Sequence, residues 1–86
     1  MQIKTHQHFD KAWSKQTSKN KKAVLASIEL LINNPTSPKI RLHQLKGQLY
    51  PQYSISAGED LRIHFLQSEL DTIVLMAIGT HYQLYK

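Results

Sequence analysis

The hydrophobic pattern of this chain changes its period once, at the proline-rich segment 34–38. Before this segment, apolar residues recur at the spacing of a helical face. After it, they alternate with polar residues, which is typical of strands that bury one side. The chain is therefore predicted to fold as a helical N-terminal half packed against a C-terminal sheet.

Two helices are predicted before the change of period, after a short strand at residues 2–6. Within each helix, residues at helical spacing form one face that is mainly apolar: Phe9, Ala12, Trp13 and Gln16 in the first, and Val24, Ile28, Leu31 and Ile32, widened by Leu25, in the second. The polar segment 16–22 separates the two helices. Pro35 ends the second one, because the residue before a proline is pushed out of the helical region.

Three strands are predicted after the proline-rich segment, at residues 52–57, 61–66 and 72–78. The segment 39–45 is either a further strand or an extended arm. The predicted fold class is α+β, in the order β-α-α-β-β-β, with two N-terminal helices on one face of a small twisted antiparallel sheet. With 86 residues, the chain is expected to form a single domain over residues 1–86.

Alternation along the strands predicts which side chains point away from the helices. Leu61, Ile63 and Phe65 are expected to face the helices, so Arg62 and His64 face the other way. The same argument sends Ser54 and Ser56 outward on the neighbouring strand, and His64 is expected at the surface. His81 and Tyr85 follow the last strand and could fold back over this helix-free face, with Asp60 near the same spot.

The charge of the chain favours a polyanionic partner. Lysine and arginine number 11 against 6 acidic residues, which gives a net charge of +5. Such an excess promotes binding to nucleic acid through phosphate contacts, although it also serves solubility alone. The chain has no cysteine and no metal-binding histidine spacing on a helix, so no metal site is expected. No apolar run approaches membrane-spanning length, and we expect a soluble, cytoplasmic protein without membrane partners.

Three motifs resemble those of one known superfamily. The segments LHQLKG, YSISAGEDLRIHF and IGTHYQLY follow a two-helix half, as in the RelE/ParE superfamily of type II toxins. The chain is most similar to the YafQ-like ribosome-dependent mRNA interferases, and the resemblance covers essentially its whole length. It implies a metal-independent endoribonuclease without a cofactor that cuts mRNA on the ribosome. It also implies a cognate antitoxin, whose complex with the toxin could contact operator DNA.

The resemblance also implies roles for individual residues. His81 falls at the position of a catalytic histidine, Tyr85 at that of an aromatic ring, and Asp60 at that of an aspartate. His43 matches a second active-site histidine, and Arg62 resembles an arginine that handles the scissile phosphate. His81 is then expected to be the general acid, His43 or Asp60 the general base, Arg62 the phosphate clamp, and Tyr85 a stacking or orienting ring.

Two positions depart from the YafQ-like pattern. Ser56 stands where those toxins carry a further histidine, and Ala77 stands where they carry an arginine. Arg62 is expected to supply the missing positive charge. Further contacts with RNA are expected from a set of basic residues, Lys19, Lys21, Lys22, Lys46 and His64.

Two other functions fit the same resemblance. A ParE-like toxin would inhibit DNA gyrase and cut no RNA, and the two departures agree with that reading. A catalytically inactive relative would only bind an antitoxin and act as a co-repressor.

Overall fold

Two helices lie against a five-stranded sheet in the computed structural model, which describes residues 1–85. Along the chain the elements are β1 (Gln2–Thr5), α1 (Gln7–Ser14), α2 (Ser18–Asn33), β2 (His43–Gln44), a 3-10 turn (Gly47–Leu49), β3 (Tyr53–Ser56), β4 (Leu61–Glu69), β5 (Thr72–Thr80) and α3 (His81–Tyr85). The strands lie side by side in the order β1-β5-β4-β3-β2. The α+β class predicted from the sequence is confirmed.

The sheet is mixed, because its first strand runs parallel to its last. β1 pairs with β5 from Gln2 opposite Thr72 to Thr5 opposite Leu75, whereas all other neighbouring strands are antiparallel. An antiparallel sheet was predicted throughout. Alternation along a strand shows which face is buried, but it carries no information about the direction of the neighbouring strand.

The buried stripe of α2 is narrower than predicted. Val24, Ser27, Ile28 and Leu31 are its buried residues, whereas Leu25 is 57% and Ile32 is 40% exposed. Ser27 can occupy a core position because its hydroxyl donates a hydrogen bond to the carbonyl of Val24 at 2.9 Å. Leu25 and Ile32 each follow a buried residue by one position, which turns them toward the edge of the stripe and partly into solvent.

Strand alternation places the core as predicted. Ile55, Ile63 and Phe65 on β3 and β4, with Ile73 and Leu75 on β5, belong to the cluster of buried residues that the helices cover. Phe9 of α1 is buried in the same cluster, and Ala12 and Trp13 pack against it.

The segment 39–45 is mainly an extended arm, since two of its residues, His43 and Gln44, pair with β3. Ile40, which is 1% exposed, and Leu45, which is 5% exposed, anchor it on either side. Arg41 has a φ of 48°, in the left-handed region that residues with a side chain rarely adopt. None of the described helices has the length and apolar composition that crossing a lipid bilayer requires.

Candidate functional site

A row of polar side chains crosses the helix-free face of the sheet. His43 lies opposite Ser54, Ser54 opposite His64, and His64 opposite Ala77. Residues directly opposite each other in antiparallel strands share a face. Because Ile63, next to His64, lies in the core, the whole row faces away from the helices.

A second row runs beside the first and contains the arginine of the candidate site. Ser56 lies opposite Arg62, and Arg62 opposite Gly79. Nη1 of Arg62 donates hydrogen bonds of 3.3 Å to the carbonyls of Glu59 and Leu61. No other nitrogen of this guanidinium has a hydrogen bond within residues 1–85. One edge of the group is anchored, and the other is left to bind an anion.

The short helix α3 folds back from the end of β5 because of the motif Gly79-Thr80-His81. The hydroxyl of Thr80 accepts a hydrogen bond from the backbone N–H of Gln83 at 3.1 Å. The side-chain oxygen of Gln83 accepts one from the N–H of Thr80 at 2.8 Å. This reciprocal capping box starts a helix immediately after the strand. A Cβ at Gly79 would come within 3.1 Å of Gln83 and Leu84, so glycine permits the close return of α3.

Folding back brings two aromatic side chains of α3 to the polar face. The ring of Tyr85 lies 5.3 Å from that of His64, edge to face at 66°. The ring of His81 lies 4.5 Å from that of Tyr85. The expectation that His81 and Tyr85 return over this face is confirmed.

His64 is buried, and the expectation of a surface histidine is therefore wrong. Its side chain is 2% exposed, because Tyr85 packs against it. Ser54 and Ser56 also face away from the helices as predicted, but they are 0% and 6% exposed. Burial, together with the charge of His43, lowers the pKa of His64 to about 4. The imidazole of His64 is consequently neutral at neutral pH.

The lowered pKa of His64 predicts that acid destabilises the protein. Between its ordinary value of 6.5 and about 4, the unfolded chain binds a proton at this residue and the folded chain does not. The free energy of unfolding should therefore fall by up to about 3 kcal/mol as the pH falls through this window. Urea unfolding of the wild type and of His64→Phe at several pH values measures it. Parallel pH curves for the two proteins would contradict the prediction.

His43, at the other end of the row, is exposed and has a defined tautomer. Its Nδ1 lies 2.8 Å from the carbonyl oxygen of Arg41. A carbonyl accepts hydrogen bonds but cannot donate them, so Nδ1 carries the proton in the neutral ring. The lone pair is then on Nε2. This carbonyl is that of Arg41, whose backbone has the left-handed conformation described above.

Solved structures of bacterial toxins have the same arrangement of elements. YafQ from E. coli has a TM-score of 0.82 at 18% sequence identity, over 98% of this chain and 97% of its own. The YoeB/ParE toxin from Agrobacterium tumefaciens has a TM-score of 0.76 at 14% identity, over 95% of this chain and 100% of its own. The fold is that of the RelE/ParE toxins.

A third RelE/ParE-fold structure contains a partner protein. In the E. coli DinJ–YafQ toxin–antitoxin complex, the matched chain has a TM-score of 0.78 at 18% identity, over 98% of this chain and 96% of its own. No family model matches this chain, and no curated protein matches its sequence. At these identities the likeness establishes the RelE/ParE fold.

Asp60 lies in the turn before β4, two residues from Arg62 along the chain. It is exposed and lines a cavity together with Lys19 and Asn20 of α2 and with Thr80 at the end of β5. No hydrogen bond or ion pair joins Asp60 to a histidine within residues 1–85. Asp60 therefore shares a cavity with Thr80, the residue before His81, and its role as a base stays a prediction.

The predicted RNA-binding lysines are divided between two regions. Lys19, Lys21 and Lys22 lie in the first turns of α2, and Lys46 lies just after β2. Lys19, Lys22 and Lys46 are exposed. Lys21 is half-buried, and its ammonium group lies 5.4 Å from the centre of the Trp13 ring. The ring of Trp13 thus already makes a cation–π contact with one of the four lysine ammonium groups.

The two departures from the YafQ-like pattern lie beside the candidate residues. Ser56 is directly opposite Arg62, and Ala77 is directly opposite His64. Burial of Ser56 and His64 was not predicted, although the Thr80-to-Gln83 spacing is a sequence signal for the helix whose Tyr85 packs on His64. In the described part of the chain, no group of three or more histidine, aspartate or glutamate side chains is placed to hold a metal ion.

Proposed function

We propose that this protein is the toxin of a type II toxin–antitoxin pair and cuts mRNA on the ribosome as a metal-independent endoribonuclease. One observation carries the proposal: two imidazoles, a guanidinium and a phenol are arranged about the helix-free face of a RelE/ParE fold. They belong to His43, His81, Arg62 and Tyr85. These groups suffice for proton transfer and for binding a phosphodiester.

The reaction is an internal transesterification of the RNA backbone. The ribose 2′-oxygen forms a bond to the adjacent phosphorus, and the bond from phosphorus to the 5′-oxygen breaks. A base removes the 2′-hydroxyl proton and an acid gives a proton to the leaving 5′-oxygen, so that a 2′,3′-cyclic phosphate and a 5′-hydroxyl remain. Histidine suits both tasks, because its ordinary pKa lies near neutrality.

His43 is assigned as the base and His81 as the acid. The lone pair of neutral His43 is on Nε2, because Nδ1 donates to the carbonyl of Arg41. Asp60, the alternative base, has no hydrogen bond to either imidazole within residues 1–85 and lines a cavity with Thr80 and residues of α2. His43 lies on β2 and His81 follows β5, three strand spacings or roughly 14 Å away along the sheet. An in-line displacement places its base and acid on opposite sides of one phosphorus, so the assignment requires both imidazoles to turn inward toward a phosphodiester held over the polar row.

Arg62 and Tyr85 hold the substrate in this assignment. The unanchored edge of the Arg62 guanidinium would bind phosphate oxygens and supply the charge that an arginine at Ala77 would otherwise carry. Tyr85, which is 38% exposed, would stack on a base. The exposed Lys19, Lys22 and Lys46 would contact ribosomal RNA through its phosphates.

The partners follow from the same proposal. YafQ, which shares this fold, is found in a complex with DinJ. This chain would likewise be held inactive by a cognate antitoxin, and the pair could contact operator DNA as a complex.

Expression of the protein, alone and with the product of the adjacent gene, tests this function. The protein alone should arrest growth and produce translation-dependent mRNA breaks within codons, and co-expression should abolish both. Primer extension locates the breaks. Blocked supercoiling with intact mRNA would instead indicate a ParE-like gyrase inhibitor. A protein that is harmless alone but represses with its partner would indicate a co-repressor.

A further inference from the structure

Two buried polar atoms on neighbouring strands of the helix-free face have no hydrogen-bond partner within residues 1–85. They are Oγ of Ser54 and Nε2 of His64. The two residues are directly opposite each other on β3 and β4. An unpaired buried polar atom weakens a fold, and most are satisfied by protein or water. Two such atoms on neighbouring strands of one candidate site offer hydrogen-bonding capacity that a ligand could use.

Tyr85 packs against His64 and is itself partly exposed. Its ring packs edge to face on His64, and it remains 38% exposed. It stands at the end of α3, a helix of five residues that ends the described part of the chain. A helix of five residues has little stability of its own, so its last residue can move away from the sheet by local opening. A ligand can therefore reach Ser54 and His64 once Tyr85 moves away.

We propose that Ser54 and His64 form a polar seat that receives the edge of one nucleobase of the RNA substrate after Tyr85 leaves His64. This inference rests on the proposed function, because it takes RNA to be the substrate. A hydroxyl both donates and accepts, and a neutral imidazole has one donor and one acceptor nitrogen. Base edges offer adjacent donors and acceptors to such a pair, and single-stranded bases are read in this way. The displaced ring of Tyr85 remains available for stacking.

The polar seat differs in charge from Arg62, the residue beside it that is proposed to bind phosphate. Burial and the charge of His43 lower the pKa of His64 to about 4, so the seat is uncharged at neutral pH and suits a base. Arg62, two residues away on the same strand, supplies the fixed positive charge that a phosphate needs. Two residues along a strand span about 7 Å, so a phosphate and its neighbouring base can be held together. The polar seat would select the base, whereas Arg62 would bind every sequence alike.

The test is the sequence preference of mRNA cleavage, mapped across a transcriptome for the wild type and for variants. Ser54→Ala and His64→Phe remove the hydrogen-bonding atoms and nearly conserve volume. Each should keep cleavage and reduce the preference for the favoured base at one position by about tenfold, the value of one hydrogen bond. His64→Gln, which can place an amide near the position of Nε2, should retain part of the preference. Ser68→Ala and His8→Phe make the same changes at exposed positions and should alter nothing.

Each remaining outcome overturns the inference. An unchanged preference in both Ser54→Ala and His64→Phe would show that the atoms read no base, while the proposed function would stand. If His64→Phe kept the base preference and His64→Gln lost it, the ring of His64 would act through packing and not through a hydrogen bond to the base. Loss of all cleavage with unchanged thermal unfolding would assign a role in the chemistry instead. A wild type that cuts RNA without any base preference excludes the polar seat, and one that cuts no RNA excludes the proposed function as well.

Discussion

Replacing His81 with glutamine is expected to lower the rate of mRNA cleavage by about 10²- to 10⁴-fold, the usual contribution of one positioned acid or base. Glutamine is polar and favours helices, so α3 should still form through its Thr80 and Gln83 capping box. What the variant loses is the proton that His81 gives to the leaving oxygen. Single-turnover cleavage of mRNA on programmed ribosomes measures the rate.

His8→Gln is the matched control for this change. His8 is exposed on α1 and lines a cavity with Gln83 and Leu84, so this control also reports on the packing of α3. The same substitution there should leave the rate within about twofold of the wild type, because exposed side chains that neither cap a helix nor act on the substrate rarely matter. Equal rates for His81→Gln and the wild type would exclude His81 as the acid. A large loss in His8→Gln would show that the effect arises from folding.

The sequence predicted the core of the fold because one rule, side-chain periodicity, governs it. Ile55, Ile63 and Phe65 alternate with polar residues, and all three are buried against the helices. The same rule misjudged α2, where Ser27 takes a core position by bonding to its own helix backbone. Periodicity cannot detect a polar side chain that is satisfied locally.

The sequence predicted which face of the sheet carries the candidate site, but it did not predict which of its side chains are buried. Alternation placed Arg62 and His64 on the helix-free face, and the register agrees. It could not show that His64 is buried, because the covering group, Tyr85, comes from a different element. Nor could it show that the carbonyl of Arg41 sets the tautomer of His43, since a left-handed arginine leaves no pattern in the sequence. Burial and tautomers depend on contacts between elements.

Replacing Ile63 with alanine is expected to have the second large effect, a loss of stability, because the candidate site depends on the buried core. Ile63 is 0% exposed and lies on β4 between Arg62 and His64, so the strand that buries it also positions both polar residues. Truncating a buried isoleucine removes apolar burial and leaves a cavity, so the free energy of unfolding should fall by about 2–5 kcal/mol. Small domains are stable by only about 5–15 kcal/mol.

Urea unfolding of Ile63→Ala measures that loss, and Ile32→Ala is its matched control. Ile32 is 40% exposed on α2, so the same truncation there should cost less than about 1 kcal/mol. Similar losses in the free energy of unfolding of both variants would show that burial does not determine how much these side chains contribute to stability. Cleavage by Ile63→Ala should recover under conditions that restore folding, such as low temperature or a stabilising osmolyte, because its catalytic groups are intact. Cleavage by His81→Gln should stay low under the same conditions, which separates residues that build the site from the residue proposed to donate the proton.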